Sequence, residues 1–269
     1  MKKRFGTDSE FILEGKKSAK EVLDWTVGLF HQKDTADFKF SEDVWDWFLN
    51  VVICAYEKAE IQLVKRMILI KIIHTREVVR AGFDISKAED KFRWNDWQVG
   101  TVCLLHDVAR FDQALLRSFS DEETGFDHAK IGAKMVEDKA FEDFNTLNID
   151  KTSVVEAVKH HSEYRYDGND IYGKLVRDAD KLALLRAMPE ILATNIGGFS
   201  EEGVTEAALK AYKEGKIVRH VDMKTRADMF LAWLAWENDF NFAETKKLFV
   251  SEGMKEWMLG ELKSRGVEV

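Results

Sequence analysis

The chain has 269 residues, 45% of them hydrophobic and 33% charged, which is ordinary for a soluble globular protein and ample for a real core. Its formal net charge of −8 argues against a surface that wraps a nucleic acid polymer. A small phosphorylated ligand remains compatible, since a metal site supplies positive charge locally. The one proline, Pro189, favours long helices over a turn-rich β fold, and 18 Phe and 8 Trp promise packing dominated by large rings.

In chain order, the opening MKKRFGTDSEF carries charge but no apolar stretch, so no secretory signal is expected. Ser18 to His31 reads as a capped helix. Ser41 to about Ala81 is helical almost throughout, with one break expected near Glu57–Glu60. Asp96 to His106 is the next helix, followed by a loop or short turns over Asp112–Phe126. Helices are predicted at His128–Lys139, Ser153–Glu163, Gly173–Ala187 and Glu202–Glu214, the last stopped by Gly215. A final pair covers Met223–Asn238 and Ala243–Ser264. The apolar runs at Ile68–Ile73 and Val99–Leu105 are too short to span a bilayer. Cys54 and Cys103 read as free, buried thiols, and a reducing cytoplasm is the expected compartment. No linker or internal repeat divides the chain, so a single all-helical domain over 1–269 is expected. The aromatic residues near the two ends, Trp45, Trp47, Trp233, Trp236, Phe240 and Phe242, read as core and not as a base-stacking platform.

Histidines are the uneven feature: five of seven, His74, His106, His128, His160 and His161, fall in one stretch of the middle of the chain. His106 and Asp107 end an apolar helix, where burial is costly unless the two are paired or ligate a metal. Taken alone, that pair reads equally as a core histidine with a carboxylate partner. His74, with Ile70, Val78 and Ala81 on its face, alone reads as a satisfied core histidine. Asp180 shares its helical face with Gly173, Val176, Arg177, Ala183, Leu184 and Ala187, and an acid there needs a strong partner. Asp178, about 200° around the axis among Lys174 and Lys181, reads as a solvated or supporting group. Together His74, His106, Asp107 and Asp180 form a mixed imidazole and carboxylate set suited to Mn, Fe, Zn, Co or Ni, with Mg also considered.

The order of these residues (His74, then Leu104-Leu105-His106-Asp107, then Arg177-Asp178-Ala179-Asp180) resembles the HD superfamily of metal-dependent phosphohydrolases over roughly residues 65–190. Two further elements, Phe126-Asp127-His128-Ala129-Lys130 and Ala157-Val158-Lys159-His160-His161-Ser162, resemble the longer pattern of members that hold two metals. The resemblance implies an all-α helical bundle with extra N- and C-terminal helices packed on the HD core. It implies one or two divalent ions per chain: His74, His106 and Asp180 on one, His128 and one of His160 or His161 on the other, and Asp107 between them. The helix resembles the family's own most closely when His161 is the ligand, which leaves His160 beside the metal set or in the substrate pocket. His160 through Gly168 also resembles the HD-GYP subgroup. That assignment is set aside because Ile171-Tyr172-Gly173 stands near where a Gly-Tyr-Pro is needed, and Ile70 where an acid can precede the first histidine.

The implied reaction is cleavage of a phosphate ester or anhydride by metal-activated water, nucleotides being among the candidate substrates, with Asp107 or a neighbouring histidine accepting the proton. Arg110, at a position where the family often carries a basic residue, is assigned to developing charge. Lys130, Arg177 and Lys181 are further candidates to face phosphate. No P-loop, dinucleotide fingerprint or nucleophilic Ser or Cys motif competes. The alternatives weighed are a two-iron oxygenase of HD type, a regulatory ligand-binding HD module, and a helical protein whose histidines merely pack. Neither a nucleic acid polymer nor a membrane is an expected partner, and the oligomeric state is open.

Overall fold

A computed structural model describes residues 17–32, 38–164, 166–193, 200 and 203–269. Among the described residues the protein is helical and forms no strand, with a single isolated bridge between Ser200 and Thr225. The expectation of no signal over MKKRFGTDSEF lies outside the described residues, as does the predicted helix start at Glu202.

The chain divides into two compact units, with the division after Ala183. In the first, α1 (Ala19–Phe30) starts on a capping box: Ser18 Oγ accepts from the Glu21 N–H at 3.2 Å, and the Glu21 carboxylate accepts from the Ser18 N–H at 2.7 Å. It buries Val22, Thr26, Leu29 and Phe30 and packs on α2 (Glu42–Lys58) and α3 (Gln62–Ala88). The expected break falls at Ala59–Ile61, where Ala59 turns extended at φ −72° and ψ 109°. Phe30, Trp45, Phe48 and Phe111 join α1, α2 and α5 (Arg110–Ala114) through ring contacts, Phe30 and Trp45 lying 5.1 Å apart.

The helix α4 (Asp96–Leu105) is buried on every side from Gln98 to Leu105 and packs along α3. A helix apolar all round belongs in a core, and its end therefore delivers His106 and Asp107 to the interior. After α5 comes a short turn of helix, α6 (Asp121–Thr124), so the segment expected as a loop or short turns holds short helical turns. Next come α7 (His128–Asp138) and α8 (Lys151–His160), which pack on each other, and α8 also packs on α4. Gly132 sits at the α7–α8 crossing: a Cβ there would meet Val158 Cγ1 at 3.3 Å and Ala109 Cβ at 3.6 Å. The absence of a side chain at Gly132 permits this close approach. The last helix to reach this unit is α9 (Ile171–Ala193), whose final turns are grouped with the second.

The second unit runs from Leu184 to Val269 and holds α10 (Glu206–Lys213), α11 (Arg226–Ala235), α12 (Ala243–Ser251) and α13 (Met254–Ser264). The stretch Ala243–Ser264, expected as one helix, is two. Gly253, at φ 76°, takes the left-handed conformation that ends α12 and starts α13. Inside this unit Arg186 grips Glu252, with Nε 2.9 Å from Oε2. Phe240 and Phe242 are buried and Trp233 and Trp236 half-buried. Among the cysteines Cys103 is buried as expected, whereas Cys54 is only half-buried on α2, and both are free. No described helix is long and apolar enough to cross a membrane.

Candidate metal centre

Five helices of the first unit meet around Asp107. His74 stands in the middle of α3. His106 caps the C-terminus of α4, and its ring Nδ1 lies 2.7 Å from the Cys103 carbonyl. His161 does the same for α8, with Nδ1 2.7 Å from the Val158 carbonyl. His128 opens α7 behind its cap Asp127, and its Nδ1 lies 2.5 Å from Asp121 Oδ2. Asp180 comes from α9, 3.0 Å from His74 Nε2.

The ligand-type atoms fall into two groups, His74–His106–Asp180 and Asp107–His128–His161, each within 4.8 Å. The Asp107 carboxylate looks both ways. Its Oδ1 is 3.2 Å from His161 Nε2 and 3.5 Å from His128 Nε2, while Oδ2 is 3.5 Å from His106 Nε2 and 3.7 Å from His74 Nε2. His160 is not part of this: its two ring nitrogens pair with Glu163 at 2.6 Å and Glu156 at 3.0 Å, away from Asp107. Of the adjacent histidines, His161 is the one turned inward.

The donor set fits metal ions. Three of the four clustered histidines use Nδ1 in a bond to a carbonyl or carboxylate, which assigns the proton to that nitrogen and leaves Nε2 as a lone pair. His106 Nε2 is fully buried and makes no hydrogen bond. His128 Nε2 and His161 Nε2 face each other at 3.2 Å, and two lone pairs so placed need a cation or a proton between them. Burial, and next the Lys71 charge, lowers the His74 pKa, and burial drives His128 down to about 4. Burial opposes the charge on Asp107, but Lys71 and His106 outweigh it and hold the carboxyl well below its usual range. Burial likewise opposes the charge on Asp180, which His74 and then His106 stabilise. Burial would lower His106 too, yet the attraction of Asp107 and Asp180 raises it. Neutral imidazole at His74 and His128 with ionised carboxylates is the protonation state that ligation requires.

The basic residues are more dispersed than expected. Arg110 lies beside the centre, Nε 3.5 Å from Asp107 Oδ1 and without a hydrogen bond, while Nη1 donates to Phe119 O and Asp121 Oδ1 at 2.5 and 2.9 Å. Lys130 is 74% exposed and paired with Asp127. Arg177 is buried, and its Nη1 donates to the carbonyls of His160, His161 and Glu163, closing the end of α8. Lys181 is half-buried, one residue beyond Asp180. Asp178 is fully buried, which removes the solvated alternative and leaves that of a supporting group. Two neighbours of the centre escaped the sequence. Lys71 Nζ donates to Asp107 Oδ2 at 2.6 Å, and its position one turn before His74 was the available signal. Asp121 holds His128, and nothing in its loop sequence marked it.

Residues 72–185 match the family model of the HD domain. The chain carries an HD domain. That match runs from just before His74 to just past Asp180, so it contains both groups of the centre. No curated protein and no solved structure matches the chain.

Proposed function

We propose that this HD protein is a metal-dependent phosphohydrolase that cleaves a phosphate ester or anhydride of a small substrate, nucleotides among the candidates, in the cytoplasm. The observation that carries this reading is the two-faced Asp107 carboxylate, one oxygen toward each histidine group. His74, His106 and Asp180 would hold one ion and His128 and His161 a second, with Asp107 shared. A bound divalent ion supplies a lowered pKa to water and polarisation to a phosphoryl oxygen.

The chain's own residues do the rest. His106, His128 and His161 are almost wholly buried, whereas the Asp180, Lys71 and Arg110 side chains are 22%, 16% and 16% exposed. Substrate and water therefore approach on the side of Asp180, Lys71 and Arg110. Arg110 places positive charge against Asp107 and toward charge that develops on phosphate. The buried rings exclude bulk water from the far side and strengthen every charge interaction there.

The test begins with metal analysis of protein purified without added metals, followed by hydrolysis of a panel of nucleotides, phosphomonoesters and phosphodiesters with Mn. Bound transition metal, turnover, and loss of both in Asp107→Ala are expected. Full metal content and turnover in Asp107→Ala would overturn the site. Metal without hydrolysis, with oxygen uptake by the iron form, would move the reading to a two-iron oxygenase, and metal with neither activity to a regulatory module.

A further inference from the structure

The closest partner of the Asp107 carboxylate is an ammonium group. Lys71 Nζ sits 2.6 Å from Oδ2, nearer than any histidine nitrogen, and Oδ2 is the oxygen that faces His74 and His106. The same ammonium stands 5.2 Å from the centre of the Phe119 ring, and Arg110 stands 5.9 Å from that ring on the Oδ1 side. Lys71 is thus a resident cation at the place where an ion in the His74–His106–Asp180 group would take its share of Asp107.

We propose that Lys71 exchanges partners on metal loading: an entering ion displaces the ammonium from Asp107 Oδ2, and the freed ammonium binds the phosphate of the substrate. This rests on the phosphohydrolase reading of the same centre. The oxygen Oδ2 cannot hold a hydrogen-bonded ammonium at 2.6 Å and a divalent ion together without bringing like charges into close repulsion in a poorly solvated site. The group Asp107–His128–His161 uses Oδ1, whose neighbouring cation, Arg110 Nε, stands off at 3.5 Å without a hydrogen bond and so competes less. Binding of two ions should accordingly be unequal, and Lys71 should weaken the step that needs Oδ2. The lysine stem is flexible, its head is 16% exposed, and the exposed side of the centre is where an anionic substrate arrives, so a released ammonium has a partner within reach.

The exchange predicts opposite signs from one substitution. Lys71→Met keeps the stem and removes the charge. Titration of the metal-free protein with Mn(II), read by competition with a chromophoric chelator, should show the weaker step tightened by about tenfold or more. Where the natural chain takes up one ion under these conditions, Lys71→Met should take up two. Binding of inorganic phosphate to the Mn-loaded protein, read by calorimetry, should weaken by about tenfold. Lys71→Arg should retain phosphate binding. A lysine that merely supported the fold would weaken both on removal. Unchanged or weakened Mn binding in Lys71→Met would overturn the exchange, and so would unchanged phosphate binding. If Lys71→Met fails to fold, Lys71→Gln carries the same comparison. Neither binding readout uses hydrolysis, so failure of the phosphohydrolase reading appears separately, as intact exchange in a protein that turns over nothing in the substrate panel.

Discussion

The carboxylate of Asp121 and the ring of His128 meet at 2.5 Å between Oδ2 and Nδ1, in a pair formed by a short helix within a segment that sequence marks as loop or short turns. Asp121 also accepts from Arg110 Nη1 and Gln113 Nε2, so it has little freedom to leave the ring. The pair holds the imidazole with Nε2 turned to Asp107, and it raises the ring's electron-donating power. Asp121→Ala should therefore weaken metal binding by roughly 10- to 100-fold, while the helical far-UV signal persists. Chelator competition reads the change, and an unaltered affinity would remove Asp121 from any role in the centre.

A second prediction concerns the number of ions. His128 and His161 come from α7 and α8, and they serve a metal only if a second ion sits beside the first. Changing both to Ala should leave about one ion per chain and cut turnover strongly. In the natural protein the two ions should lie roughly 3.5–4 Å apart, the spacing that supports attacking and leaving oxygens together. A crystal structure with a single ion and both histidines turned to protein contacts would refute the dinuclear reading.

Acid should destabilise the metal-stripped protein through His128. Its folded pKa of about 4 lies below the ordinary 6.5, so between those values the unfolded chain binds a proton that the folded ring refuses. The stability this group contributes is complete above about pH 6.5 and is lost as pH falls toward 4. His106, shifted upward, runs the other way, so the comparison needs a variant. The fall in urea midpoint from pH 7 to pH 5 should be smaller in His128→Gln than in the natural chain. Equal falls would contradict the assignment.

Arg177 should matter through backbone and not through phosphate. Its Nη1 collects the carbonyls of His160, His161 and Glu163, and its guanidinium lies 5.7 Å from the Tyr166 ring. Removing it leaves those carbonyls underbonded, at a cost of about 1–3 kcal/mol. Arg177→Met should lower the melting temperature and loosen His161, weakening the ion beside Asp107 Oδ1 more than its neighbour. A KM raised with stability untouched would instead favour direct contact with phosphate.

Helical periodicity marked the buried faces that carry His74, His106-Asp107 and Asp180, and the resemblance of their order to the HD pattern made the candidate centre legible. The caps at Ser18 and the stop at Gly215 were legible for the same local reason. Asp178 was left open between solvent and a supporting role because lysines were taken to mark solvent, yet Lys174 and Lys181 are themselves half-buried on a helix covered on several faces. The break at Gly253 was missed because apolar spacing continues across it and no proline marks it. Lys71 was in view one turn before His74, but nothing local told that its ammonium reaches a residue 36 positions away. Whether the chain unfolds as one domain, as its unbroken composition suggests, is open to calorimetry: one transition is expected, and two would assign separate domains.

The six inward-facing candidate ligand residues span His74 to Asp180, drawn from α3, α4, α7, α8 and α9 or their C-terminal ends. An ion held by His74 and Asp180 would act as a cross-link that closes a loop of about a hundred residues, and such closure removes freedom from the unfolded chain at a cost that grows only slowly with loop length. Metal supply would then set how long the folded chain survives proteolysis, independently of whether any substrate is present. Scarcity of metal would silence the protein by shortening its lifetime as well as by emptying its centre.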